Sequence, residues 1–358
     1  MAVPNLAVLG LSHRLKFVNC LRKAGLANLV AVADLNPEKA VLSYNANSVS
    51  LSDCLGKDIE LYRDYKDLLK DAPGRIDGVI AALPNHLHVE VTEEAAKRNL
   101  ALMLEKPIAC TMEEAKKIID IVNGANLKFM VAHHRRFSKK VIRVKEAIEN
   151  GELGKILGVN MIWAAKKPDA YFGQTWRITE NVGGPLLINT IHDIDNLRYL
   201  IGEISMVHAH MTNLSRGNAV EDTGVILVGF KNGAVASIFL TDNAPSPWYY
   251  EGCTQEYEFF FPSYFNCYKF FGEKASLTFP NMDLFYYEKG SEAGWHRPIK
   301  QEKLTVERFD VIEEEIKHFC AIINGEEKSR VTAEDATESL RVIEAIKESS
   351  RLGKAVYL

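Results

Sequence analysis

Short apolar runs punctuate the first third of the chain: "NLAVLG", "NLVAVAD", "DGVIAALP", "LALMLE" and "KFMVAHH". Near-continuous runs of Val, Leu, Ile and Ala suit strands buried on both faces of a parallel sheet. Stretches with helical character lie between them. "NPEKAVLSYNA" offers Asn36 as N-cap and Pro37 at the first helical position. "TMEEAKKIIDIVNGA" starts with Thr111 and Glu114 at capping-box spacing. This alternation predicts a doubly wound α/β domain with a parallel sheet over residues 1–134.

The rhythm then changes. A helix over about 138–149 leads into "ILGVNMIWAA", and strands dominate from about residue 204. "GVILVGFKNGAVASIFLTD" reads as a hairpin turning at Asn232-Gly233. Further strands are expected in "EYEFFFP", "CYKFFG", "ASLTFP" and "DLFYYE", and two helices close the chain, the second capped near Thr332. Residues 135–358 therefore predict an α+β domain with a large open, mainly antiparallel sheet. "HHRRFSKK" (133–140) reads as the hinge between the domains plus a solvated helix start, in preference to a nucleic-acid patch.

Composition narrows the classes. A hydrophobic fraction of 47% supports a sizeable core, and a net charge of −4 gives no reason to expect nucleic acid or an anionic membrane as partner. The six cysteines are scattered without a C-x-x-C pair, which suits reduced thiols in the cytoplasm. No apolar run approaches the roughly 18 residues of a membrane helix, and no signal-like leader precedes the first strand.

Three clusters carry candidate chemistry. The turn after the first strand keeps Gly10 of the phosphate-cradling G-x-G-x-x-G pattern, with Ser12 and Leu15 at the other two glycine positions. Asp34 ends the second strand, where a carboxylate can bind the adenosine ribose and favour NAD over NADP; an ordinary helix N-terminal charge is the plainer alternative. Arg14 leaves NADP open. In "LMLEKPIAC", Glu105, Lys106 and Pro107 directly follow a buried strand, at the sheet edge where ligands bind. There Lys106 could hydrogen-bond a reacting hydroxyl, or be a solvated surface lysine. In "NVGGPLLINTIHDIDNLRYLIG", an amphipathic helix is expected, with His192 among apolar neighbours, Asn189 one turn earlier and Asp195 one turn later. His192 suits a general base. It equally suits a satisfied core histidine, or half of a metal site with His86 or His88.

Together "ALPNHLH", "LEKPIA", "HHRRF", "WRITENVGGPLLINTIHDID" and "VEDTGVILVGFKNGAVASI" resemble the Gfo/Idh/MocA oxidoreductases, the glucose–fructose oxidoreductase and inositol dehydrogenase family, over nearly the whole chain. The resemblance implies an N-terminal Rossmann domain followed by a substrate-binding domain that assembles as a homodimer or homotetramer through its open sheet. It implies NAD, with NADP left open, held by Gly10, Ser12, His13, Arg14, Asp34, Pro84, Asn85, His88, Glu105 and Lys106. Lys106 and His192 are then the catalytic pair on a secondary hydroxyl of a sugar, glycoside or cyclitol. Lys167, Tyr171, Trp176, Arg177, Asn189 and His192 are expected at the substrate, with Trp248 and Tyr249 as further candidates and no metal. The aspartate that many members carry four residues before the histidine is Ile188 here, with Asn189 shifted by one. Three alternatives remain open: a glycoside-cleaving enzyme that recycles its NAD, a non-catalytic dinucleotide sensor, and a metal-dependent isomerase using His86, His88, His192 and Asp195.

Overall fold

The computed structural model describes residues 3–11, 15–39, 41–44, 47–50, 59–257, 260–288, 290 and 292–358. By packing it divides into two units, residues 1–137 with 309–340, and residues 138–308 with 341–358.

The first unit is built on six parallel strands: β1 (Asn5–Leu9), β2 (Asn28–Ala33), β5 (Glu60–Tyr62), β6 (Gly78–Ala81), β7 (Ala101–Leu104) and β8 (Phe129–Val131). Their order is β5-β2-β1-β6-β7-β8. A separate two-stranded sheet pairs β3 (Val41–Tyr44) with β4 (Asn47–Ser50). Every residue of β6 and β7 is buried, as the unbroken apolar runs require. The chain order reverses between β1 and β6, which makes their carboxyl ends the switch point where open α/β sheets bind ligands. Register aligns that edge: Leu9 lies opposite Ala33 and Ala81, and Ala81 opposite Leu104. Thr111 caps the helix Met112–Gly124 by accepting the Glu114 amide.

Two expectations need correction. Over "NPEKAVLSYNA" the structure has a single 3-10 turn, Pro37–Lys39, and then β3; the β-branched and aromatic character of "VLSY" outweighs the Asn-Pro start signal. The helix start in "HHRRFSKK" is only partly solvated, with Ser138 buried and Lys139 and Lys140 half-buried, and the run before it is buried as well. His133 through Phe137 are buried, Arg136 pairs with Asp335, and Arg330 donates to the Arg136 carbonyl at 3.2 Å. The Val131 amide also donates to the Val331 carbonyl at 3.1 Å, and residues 309–340 pack with the first unit.

The second unit holds nine strands: β9 (Ile156–Ala164), β10 (Ile204–Thr212), β11 (Thr223–Phe230), β12 (Val235–Thr241), β13 (Tyr268–Gly272), β14 (Ala275–Phe279), β15 (Asp283–Tyr286), β16 (Lys300–Lys303) and β17 (Val356–Tyr357). They run β16-β15-β14-β13-β9-β12-β11-β10-β17, antiparallel except for the parallel β9–β12 pair. The expected hairpin is β11–β12, with Gly233 at φ +89°. Alternation along β11 and β12 buries Ile226, Val228, Ala236 and Ile238 on one face and exposes Val225, Leu227, Val235 and Phe239 on the other. "EYEFFFP" forms no strand among its described residues. Gln255 takes a left-handed conformation, and the Glu256 carboxylate accepts from Ser138 at 2.6 Å and Tyr250 at 3.0 Å, which folds the segment back. Among the described residues no helix is long and apolar enough to cross a membrane.

Candidate functional site

At the first unit's strand edge, backbone geometry places the candidates. Gly10 is one residue beyond β1, at φ +85°, with its amide on the Ala33 carbonyl at 2.8 Å. A Cβ here would lie 2.4 Å from the Ala82 carbonyl oxygen, so the glycine is demanded by a close approach to the chain leaving β6. Asp34, one residue beyond β2, accepts the Leu11 amide at 2.7 Å and the Asn36 amide at 2.8 Å. Its carboxylate thus steadies the Gly10 turn, and each oxygen keeps a further lone pair for a ribose hydroxyl. Beyond β6, Pro84 is exposed and Asn85 half-buried at the start of a 3-10 turn. Beyond β7, Glu105 is buried and accepts the Lys106 amide at 3.2 Å, while Lys106 is half-buried. Gly10, Asp34, Ala82 and Glu105 therefore stand side by side at the switch point, the position and donor set that fit a dinucleotide. Ser12, His13 and Arg14 lie outside the described residues.

His88 needs correction as a cofactor contact. Its ring is fully enclosed, with Nδ1 3.1 Å from the Ile108 carbonyl and Nε2 3.2 Å from the Leu83 carbonyl. Burial pushes its pKa down, and a neutral ring has a single N–H, so it donates to one of these two carbonyls while its other nitrogen lies against the second. Among the described residues no three His, Cys, Asp or Glu side chains gather where a metal ion could sit.

In the second unit the candidates collect around a buried lysine. Lys167, just past β9, has a side chain only 10% exposed, and its Nζ lies 2.8 Å from Asn189 Oδ1 and 3.6 Å from an Asp242 oxygen. The ammonium sits over the rings of Tyr171 at 4.7 Å and Trp163 at 5.4 Å. Burial lowers its pKa to about 8 against the opposing pull of Asp242. Asp242, at the end of β12, is tied in turn by Arg216, whose Nε donates at 2.9 Å and whose NH2 reaches the Lys167 carbonyl at 3.0 Å. Arg177 is buried, donates to the Tyr171 carbonyl at 2.8 Å and stacks 3.9 Å from the Tyr171 ring centre. Trp176 is 43% exposed beside it.

Gly183 is sterically required by nearby backbone, and Gly184 is required by its φ of +86°. A Cβ on Gly183 would lie 2.2 Å from the Arg177 carbonyl oxygen, and one on Gly184 would lie 2.5 Å from the Glu221 carboxylate. Glu221 accepts the Leu186 amide at 2.7 Å, and burial raises its pKa. A π-turn, Leu186–Thr190, precedes the helix Ile191–Ile201, so simple α-helical spacing does not relate Asn189 to His192. Nor is the helix amphipathic: Ile191 to Arg198 are all buried, His192 at 6% exposure and Asp195 at 1%. The Asp193 carboxylate meets the Tyr268 hydroxyl, and Arg198 donates to Glu203 at 2.9 Å.

The structure thus brings Lys167, Tyr171, Arg177 and Asn189 into one neighbourhood of the second unit and adds Asp242, Arg216 and Glu221, which sequence reasoning missed. Trp248 and Tyr249 belong to an aromatic surface. Trp248 meets Phe265 edge-on at 6.4 Å, and Tyr249 lines a cavity of about 420 Å³ with Pro247, Phe261 and Tyr264. Arrangements of this kind supply a cation, a fixed amide and aromatic faces, which suit the oxygen atoms and C–H faces of a polyhydroxy ring.

Comparison with known proteins matches residues 5–133 to the model described as "Oxidoreductase family, NAD-binding Rossmann fold". Residues 145–358 match "Oxidoreductase family, C-terminal alpha/beta domain". Levoglucosan dehydrogenase of Pseudarthrobacter phenanthrenivorans is 32% identical over 210 residues, 51% of this chain and 53% of that protein. Myo-inositol 2-dehydrogenase of Thermotoga maritima is 28% identical over 305 residues, 83% of this chain and 84% of that one. Among solved structures, aldose-aldose oxidoreductase from Caulobacter crescentus, complexed with glycerol, superposes with a TM-score of 0.76 at 21% identity, covering 100% of both chains.

Proposed function

Because the chain belongs to the Gfo/Idh/MocA oxidoreductases, whose NAD-binding and C-terminal domains it matches in order, we propose that it interconverts a secondary hydroxyl and a ketone on a sugar, glycoside or cyclitol. When bound, the nicotinamide coenzyme supplies hydride transfer. In this reading Lys106 hydrogen-bonds the reacting oxygen and offsets its developing negative charge, an effect on the order of a few kcal/mol. His192 takes the hydroxyl proton in oxidation and returns it in reduction. Asp34 binds the adenosine ribose, which favours NAD. Tyr171, Trp176, Arg177 and Asn189 hold the rest of the ring, with Lys167 in the same pocket wall against Asn189.

The observation that carries the reading is the alignment of Gly10, Asp34 and Glu105-Lys106 along the carboxyl edge of β1, β2 and β7. It joins a dinucleotide-type turn to a lysine of the right chemistry on one sheet edge. The test is a panel of polyols, aldoses and glycosides followed at the NADH absorbance, guided by mass spectrometry of small molecules that co-purify with the protein. Reversible NADH formation with a member of the panel is the expected result. Release of a sugar without net NADH would replace it with glycoside cleavage, and NAD binding without turnover of any member would replace it with a dinucleotide sensor.

The exposed apolar face of the second sheet, carrying Val225, Leu227, Val235 and Phe239, supports assembly as a homodimer or homotetramer through that face. The scattered cysteines, with no C-x-x-C pair, support a reducing, cytoplasmic location.

A further inference from the structure

Asn189 and the buried lysine beside it carry an inference that rests on the reading above and deepens it. An ammonium has three N–H groups and no lone pair, so only the oxygen of a neighbouring amide can face it. Oδ1 of Asn189 lies 2.8 Å from Lys167 Nζ. The amide is planar, so fixing its oxygen fixes its nitrogen on the opposite side. Among the described residues, Nδ2 of Asn189 donates to no protein acceptor, and the residue is half-buried rather than enclosed.

We infer that Lys167 is a positioning residue that locks the Asn189 amide with its N–H groups turned outward, so that the substrate pocket offers a hydrogen-bond donor to an acceptor oxygen of the bound ring.

The lysine is equipped for this role because it cannot easily swing away. Asp242 holds its Nζ at 3.6 Å, the Lys167 amide donates to the Asp242 carbonyl at 2.9 Å, and the aromatic faces of Tyr171 and Trp163 flank the ammonium. Arg216 anchors Asp242 from the far side through its Nε and through NH2 on the Asp242 carbonyl at 2.8 Å. The chemistry also separates Asn189 from an aspartate. A carboxylate only accepts, and a ketone only accepts, so an aspartate there would lose its contact once the hydroxyl became a carbonyl. A donor keeps its hydrogen bond to both forms. The pocket therefore selects rings presenting a hydroxyl or carbonyl lone pair at this point, and it binds the oxidised and reduced partners alike.

The lock depends on the lysine's proton. The charged or titratable groups facing Lys167 are Asp242, Glu221 and Glu251, with Arg216 behind Asp242 and Tyr171 beside the ammonium. Burial brings the Lys167 pKa to about 8. Above that pH the neutral amine acquires a lone pair, and the amide is free to turn.

Two measurements decide the matter. In protein labelled with ¹⁵N-asparagine, the Asn189 side-chain NH₂ pair is identified by its loss in Asn189→Asp. It should titrate with a midpoint near the Lys167 value of about 8, and Lys167→Arg, which stays charged, should abolish the titration. No titration in the wild type, or the same titration in Lys167→Arg, overturns the inference whether or not a substrate is known. With a substrate from the panel, Lys167→Met should raise KM about tenfold with a smaller change in kcat, and Lys167→Arg should restore it. An unchanged KM in Lys167→Met also overturns it. Absence of turnover by the wild type counts against the proposed reaction alone and leaves the NMR titration to decide this inference.

Discussion

The strand edge of the first unit and the lysine cluster of the second are built by opposite means. At the edge, Gly10, Asp34 and Glu105 each follow the last residue of a strand, and inter-strand register sets them side by side. Backbone amides and a missing Cβ do most of the work there. In the cluster, Lys167, Asn189, Arg216 and Asp242 come from four separate stretches and meet only because buried charges need partners. The lesson is that topology can position a cofactor edge almost independently of side-chain choice, whereas the second unit's cluster depends on the charges of Lys167, Arg216 and Asp242 and on the Asn189 amide.

That contrast can be broken experimentally, and the largest effect belongs to the cluster. Asp242→Ala leaves Lys167 and Arg216 buried without their shared carboxylate, and unfolding in urea should show a loss of about 3–5 kcal/mol. A loss no larger than that of a surface substitution would mean the charges are not mutually dependent.

Next comes the pH response of Lys167. Its folded pKa of about 8 lies below the ordinary 10.5, so below pH 8 both states are protonated and the folded state carries the full burial cost. Between 8 and 10.5 the unfolded chain still holds a proton that the folded chain has lost, and stability therefore rises with pH. Relative to Lys167→Met, the wild type should gain on the order of 3 kcal/mol across that window in parallel urea titrations. A constant difference would show that the lysine does not feel its burial.

The strand edge should respond more modestly. Gly10→Ala places a side chain at φ +85° against the Ala82 carbonyl, and thermal unfolding of the first unit should reveal a loss of about 1–3 kcal/mol together with weakened NAD binding. Unchanged NAD affinity would separate the turn from the cofactor. The smallest effect on stability is expected at the open sheet. Phe239→Asp, on a side chain 40% exposed, should change stability by no more than about 0.5 kcal/mol yet lower the mass seen by light scattering. An unaltered mass would remove this face from the assembly.

The same contrast governs what the sequence disclosed. All five apolar runs named for the first unit are strands of its parallel sheet, because burial on both faces leaves an unbroken hydrophobic signature. Lys106 was legible for the same reason, as the residue a buried strand delivers to its carboxyl end. Asp242 and Arg216 were not, since "LTDNAP" and "LSRGNA" read as ordinary polar loops until the sheet brings β12 beside β9. His88 was misread because a histidine in a loop motif gives no sign that both ring nitrogens will face backbone carbonyls. The histidine helix looked amphipathic because its polar residues are real, but Asp193 and Arg198 find partners in Tyr268 and Glu203 and are buried with the rest.

In the proposed reaction His192 moves the hydroxyl proton of a nicotinamide-dependent oxidation. The most direct test compares kcat of the wild type and His192→Ala on the polyol or glycoside the panel identifies, with NAD affinity measured in parallel by fluorescence. A fall in kcat of about 10²–10⁴-fold with NAD affinity unchanged is expected. Wild-type turnover by the variant would contradict it.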